Sequence, residues 1–184
     1  VAGVESYTRR RCFISYHHAD ENEVQHFVNT FDHNHNMFIA RGIGASMPGD
    51  VINSSDSDYI MSRIRASYLN TSTVTIVLVG RYTWTRRFVD WEIGASLRNT
   101  LYSNRNGLLA ISLPSVSDFN PTLPVRLVDN LSNSTRGGYA RYVTYPTSAD
   151  WLGYYIDLAF ADRTNKADLV QNSRALLGHN LTHA

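Results

Sequence analysis

The stretch that decides the fold is TVTIVLVGRYTWTRRFVDWEIGASL, Thr73–Leu97. Val74–Val79 is continuous and mostly β-branched and is bounded by polar residues, the pattern of a parallel strand covered on both faces. A polar, aromatic loop follows from Gly80 to Asp90. Ile93, Leu97 and Leu101 then recur at helical spacing and give the next helix one buried stripe. Asp90 is the expected N-cap of that helix, which puts Glu92 in its first turn. In open α/β sheets, ligands bind where strands end and helices begin. Glu92 is therefore a carboxylate, with aromatic neighbours in sequence, at the position where such folds keep their pockets.

Working outward, Arg11 to Tyr16 (RCFISY) reads as a short buried strand ending in the polar loop His17-His18-Ala19-Asp20. Val24, Phe27, Val28 and Phe31 predict a helix with one apolar face, and Asp20 is placed to cap it. Phe38-Ile39-Ala40 is a brief strand, followed by the glycine-punctuated loop Arg41 to Ser57. Ile60, Met61, Ile64 and Tyr68 mark a second helix. Leu108 to Leu113 is a fourth strand stopped by Pro114, and Tyr139 to Tyr145 a fifth. Trp151, Leu152, Tyr155, Ile156, Ala159 and Phe160 trace the final helix.

Strands alternating with helices imply a parallel sheet with right-handed crossovers. The expected fold is α/β, flavodoxin-like and doubly wound, with five mostly parallel strands in the order 2-1-3-4-5. Its switch point lies between strands one and three, which sets the Tyr16–Asp20 and Gly80–Asp90 loops side by side. Residues 1–10 are a lead-in, 11–163 one domain, and 164–184 a polar tail, helical or frayed over Asp168 to Leu177.

The 184 residues are 43% hydrophobic and 18% charged, the balance of a globular protein. A net charge of +1 argues against a dedicated nucleic-acid binder. Cys12 is the single cysteine, flanked by apolar residues, so it reads as a core residue in a chain without disulfides. No run approaches the roughly 18 apolar residues of a membrane span, and none has the pattern of a signal peptide. The expected location is the cytoplasm.

CFISYHHAD resembles the opening strand and loop of TIR domains. RFVDWEI overlays their W-C-x-x-E-L-like motif, with Glu92 in the place of the catalytic Glu, Phe88 for the usual Trp and Val89 for the usual Cys. The order FISYHH, TIVLVG, TWTRRFVDWEI, then LPVRLVDN and WLGYYIDLAFADR, is most similar to the TIR-like component (ThsB type) of the bacterial Thoeris anti-phage system. The resemblance spans Arg11 to Arg163. It implies an enzyme that takes NAD+ as substrate, not as cofactor, and cleaves the nicotinamide–ribose bond. The product implied is a cyclic ADP-ribose isomer or related conjugate that activates a separate effector protein. Assembly with other copies or other TIR domains is also implied.

In that chemistry nicotinamide leaves neutral, and the transition state resembles an oxocarbenium ion, so a nearby anion matters more than a strong acid. Glu92 is the expected catalytic residue, kept ionised by the helix N-terminus. Ser15, Tyr16, His17, Arg41, Trp84 and Phe88 are the expected substrate-binding residues: an aromatic wall from Tyr16, Trp84 or Phe88, and Arg41 toward a pyrophosphate. Each has a plainer reading. Glu92 is then a solvated helix-start carboxylate, Trp84 and Trp91 packing residues, Tyr16 and His17 cover for the sheet edge, and Arg41 an exposed cation. No metal site is expected, because His17-His18 and His33/His35 lack further ligands at workable spacing. The Gly42–Gly44 loop lacks the third glycine of a dinucleotide site. The main alternative to an enzyme is an inactive TIR-like adaptor. A phosphoacceptor receiver domain shares the fold, but strand three ends Val79-Gly80 without the Asp it needs.

Overall fold

Val74–Val79 and Gly107–Ser112 are buried at every residue, as expected of predominantly apolar strands covered on both faces. They are the central strands β3 and β4 of a computed structural model that describes residues 8–34, 38–41, 49–101, 103–131 and 135–183. β1 (Arg10–Tyr16), β2 (Phe38–Arg41) and β5 (Arg141–Val143) complete a five-stranded sheet in the order β2-β1-β3-β4-β5, parallel throughout. The expected strand order holds. The last strand is shorter than the apolar pattern implied. Tyr139 and Ala140 precede it as buried chain, and the Tyr139 hydroxyl donates to the Asn106 carbonyl at 2.6 Å.

Helices cover both faces. α1 (Glu21–Val28) and α6 (Ala149–Asn165) bury Val24, Phe27, Leu152 and Ile156 against Cys12, Ile14, Ile76 and Leu78. On the other face, α3 (Ser57–Ile64), α4 (Arg87–Ser96) and the short α5 (Val125–Asp129) pack on Phe13, Val77 and Val79; a single turn, α2 (Gly49–Ile52), precedes α3. Strand alternation assigns the sides. Phe13 and Ser15 point toward α3 and α4, whereas Cys12 and Ile14 point toward α1 and α6. Ser15 pairs with Val77 in the β1–β3 register, so its hydroxyl is directed at α4.

α4 begins at Arg87, earlier than the expected cap at Asp90. Asp90 instead lies within the helix, 4% exposed, and accepts two hydrogen bonds from Arg126 at 2.8 and 3.2 Å. Arg126 is 1% exposed. Its remaining donors go to Asn172 Oδ1 and to the carbonyls of Arg174 and Ala175 at 2.9–3.0 Å. All five guanidinium N–H groups are thus used.

This hub ties down the C-terminal segment. After a 3-10 turn at Ala167–Leu169, residues 170–183 run without regular structure, so the helix considered for Asp168 to Leu177 does not form. The segment lies along α4. Leu177 N donates to Asp90 at 2.9 Å, Trp91 Nε1 donates to the Leu177 carbonyl at 2.8 Å, and the Leu176 side chain packs beside Gly94. Polarity in the tail serves hydrogen bonding to the domain, which periodicity does not register.

Arg126→Met leaves the Asp90 carboxylate buried without its cation, so urea unfolding is expected to show a loss of about 3–5 kcal/mol. Arg174→Ala removes the surface pair with Asp129 at 2.7 Å and is expected to cost less than about 1 kcal/mol in the same assay.

Candidate active site

Starting α4 at Arg87 moves Glu92 out of the first turn and into the second. The expectation that the helix N-terminus holds it ionised therefore fails, since that effect fades beyond the first turn. Its surroundings act in the opposite sense. Glu92 is only partly accessible, and burial pushes its carboxyl up to about 7 from an ordinary 4.5. The Ser15 hydroxyl donates to Glu92 Oε2 at 2.5 Å and offsets part of that rise. Ser15 itself is 1% exposed. The carboxylate and the end of the first strand, 77 residues apart in sequence, thus meet at the C-terminal edge of the sheet beside the switch point.

The helix backbone under Glu92 is also anchored. Ser96 Oγ donates to the Glu92 carbonyl at 2.8 Å and lies 2.6 Å from Thr75 Oγ1, which accepts from Asn106 Nδ2 at 3.1 Å. At the far end of α4, buried Arg65 donates to the Ala95 carbonyl at 2.8 Å, satisfying a terminal helix acceptor with a cation.

The two expected loops do come together. The Gly80 amide donates to Thr83 Oγ1 at 2.9 Å, and Thr83 Oγ1 lies 3.5 Å from Asp20 Oδ2. A Cβ at Gly80 would collide with the Asp20 carboxyl, so glycine permits this approach. Asp20 stands before α1 without making the cap bond expected of it, because its carboxyl faces the second loop. His17 is half-buried, and burial, then Arg86 and His18, lower its pKa. Arg86 thus acts on His17 across the two loops.

The remaining expected residues divide. Trp84 is half-buried in the turn Thr83–Thr85 between β3 and α4. Phe88, also half-buried, packs toward the α3–α4 core, its ring 5.3 Å from Trp91. Trp91 is 2% exposed and is a packing residue. Tyr16 turns to the α1–α6 side and packs against that core, the opposite face from Ser15. Arg41 ends β2, but its side chain and the Gly42–Ser46 loop fall outside the described residues. In sequence Tyr68 is only one residue of a helix face. The charge of Glu92 contributes, after burial, to raising its phenol pKa. No local motif marks it, because it comes from a different helix. Among the described residues, no three His, Cys, Asp or Glu side chains form a metal-sized group, and no helix is long and apolar enough to cross a membrane.

The TIR-like domain model of the Thoeris protein ThsB matches residues 13–118, more than half of the chain. The chain belongs to the ThsB TIR-like family. It is a TIR-like defence protein of the Thoeris type. The matched residues contain both Ser15 and Glu92, whereas Arg126 and the C-terminal segment lie beyond them. No curated protein matches the chain.

The raised carboxyl fixes a sign for stability. The folded chain holds a proton on Glu92 that the unfolded chain releases above about 4.5, so this contribution is present in acid and is lost as pH rises through about 7. Gln stays neutral throughout. Glu92→Gln is therefore expected to melt higher than the unsubstituted protein at pH 8, with the gap closing toward pH 5, as followed by thermal denaturation across that range.

Proposed function

We propose that this ThsB-type domain consumes NAD+, breaking its nicotinamide–ribose bond and releasing a cyclic ADP-ribose isomer or related ADP-ribose conjugate. In this reading the protein works in the cytoplasm, and its product carries a signal to a separate effector. The observation that carries the proposal is the Glu92 carboxylate, partly desolvated and bonded to Ser15 at the sheet edge.

The chemistry suits one such carboxylate. Nicotinamide departs with the electron pair of the C–N bond, and positive charge grows on the ribose. A carboxylate shielded from water attracts that charge more strongly than a solvated one does. Ser15 occupies one oxygen from below, leaving the other for the sugar. The nicotinamide cation also draws the proton off a carboxyl poised near neutrality, so the anion is strengthened as substrate binds. In this reading Trp84 and Phe88 offer faces for a base or the nicotinamide ring, and Arg86, whose charge is felt by His17, supplies a cation from the loop before α4. When the new bond to the anomeric carbon comes from an adenine nitrogen the product is cyclic; when it comes from water it is ADP-ribose.

Glu92→Gln is expected to reduce nicotinamide release at least about a hundred-fold, read by chromatography or mass spectrometry, with circular dichroism unchanged. Retained turnover rejects the role. In the unsubstituted protein, kcat/KM is expected to rise with pH around a midpoint near 7, with the kcat midpoint displaced to lower pH by the bound cation. Ser15→Ala removes the bond that favours the ionised form and is expected to move the kcat/KM midpoint upward.

A further inference from the structure

α4 carries Glu92, yet the residue before it, Arg86, provides no side-chain cap. The missing acceptor comes from the other end of the chain. Asn180 Oδ1 accepts from the Arg87 amide at 3.0 Å, across 93 residues of sequence. The neighbouring contacts run the same way. Arg87 Nη1 donates to the Gly178 carbonyl at 3.1 Å, and the Leu181 amide donates to the Thr85 carbonyl at 2.8 Å. The His183 ring stacks on Tyr82, centroids 4.2 Å apart and 22° from parallel. Between Tyr82 and Arg87, the chain segment that includes Trp84 and Arg86 is therefore held at several points by residues 178–183. The Trp91–Leu177 bond and the Arg126 hub anchor the start of the same segment.

We propose that residues 177–183 are a strap that positions the rim of the Glu92 site, with Asn180 as the remote N-cap of α4. The strap lies on the face of α4 that carries Asp90, Trp91 and Gly94, away from the Glu92–Ser15 contact. It therefore acts on how the rim meets substrate and leaves the carboxylate's own partner untouched. The capped amide begins the helix, and the pinned loop presents Trp84. Losing the cap frees both together, which weakens substrate binding and spares the chemical step. This positioning role rests on the NAD+ reading of the site; the cap itself does not.

The test compares the full chain with Asn180→Ala and Asn180→Asp by amide hydrogen exchange over residues 82–91 and by NAD+ kinetics well below the melting temperature. Asp accepts the same bond and suits the helix N-terminus, so it is the rescue variant. Asn180→Ala is expected to exchange about five-fold faster in this window and to raise KM for NAD+ about five-fold, with kcat within about two-fold of the unsubstituted value. Asn180→Asp is expected to match the unsubstituted chain in both readouts. Unchanged exchange in Asn180→Ala overturns the cap. Faster exchange with an unchanged KM overturns the positioning role, as does a loss carried by kcat alone. If the unsubstituted chain releases no nicotinamide, the Glu92 reading fails and takes the positioning role with it, while the exchange comparison still decides whether the strap holds α4.

Discussion

The 2.5 Å contact between Ser15 and Glu92 sets the demands that the rest of the structure meets. A carboxylate kept short of water tends either to take up a proton or to pull its helix toward solvent. Holding it at one strand end requires a helix that does not move. α4 is fixed on every side: by Asn180 at its first amide, by Arg65 at its last carbonyls, by the Thr75–Ser96 contact beneath, and by the Arg126 hub outside. Such support lets a polar group face a developing charge without reorganising when it appears.

Two carboxylates two residues apart on α4 show how environment divides roles. Asp90 points outward into a guanidinium that accepts no competitor, since every one of its donors is taken. Glu92 points inward to one hydroxyl, and its pKa rises. The first arrangement pairs a buried charge with a cation and stabilises packing; the second gives the carboxyl a neutral partner and no paired cation, so its ionisation is responsive to a cation. Sequence proximity therefore says little about function here, and the identity of the partner says most.

Much of the architecture was legible in sequence because it rests on local pattern. The unbroken run Val74–Val79 reports burial on both faces, and the alternation of strand and helix patterns leads to the 2-1-3-4-5 order. That order in turn brings the loops after strands one and three together, as the Asp20–Thr83 approach shows. The failures share a cause. Asp90 looks like a cap because Asp commonly caps helices, but its partner, Arg126, lies 36 residues further on. Asn180 caps from 93 residues away, and polar residues of the tail resemble a frayed end until their acceptors are known. The position of Glu92 in the helix followed the misplaced cap, so the expected sign of its pKa shift was reversed. Tyr16 and Ser15 are adjacent letters that pleating sends to opposite faces, a distinction that decides which one reaches α4.

Burying Glu92 in this setting costs the resting fold the desolvation of a carboxylate, which the Ser15 bond only partly offsets. A neutral or apolar side chain on that face of α4 would sit against β1 without the cost of desolvating a charge. Shifted carboxylates of this kind concentrate where they are used, although structural networks also produce them. The distinction lies in what surrounds the group. Structural ion pairs close upon themselves, as Asp90 and Arg126 do, whereas Glu92 keeps partial access to solvent at the edge where α/β sheets bind ligands. The proposed NAD+ chemistry uses such an acid, whereas an adaptor that works only through its outer surface does not require one. A site that must meet transient positive charge gains from each feature that raises the carboxyl's pKa or fixes its place: shielding, a neutral partner in Ser15, and a rigid helix that denies the carboxylate any escape into water.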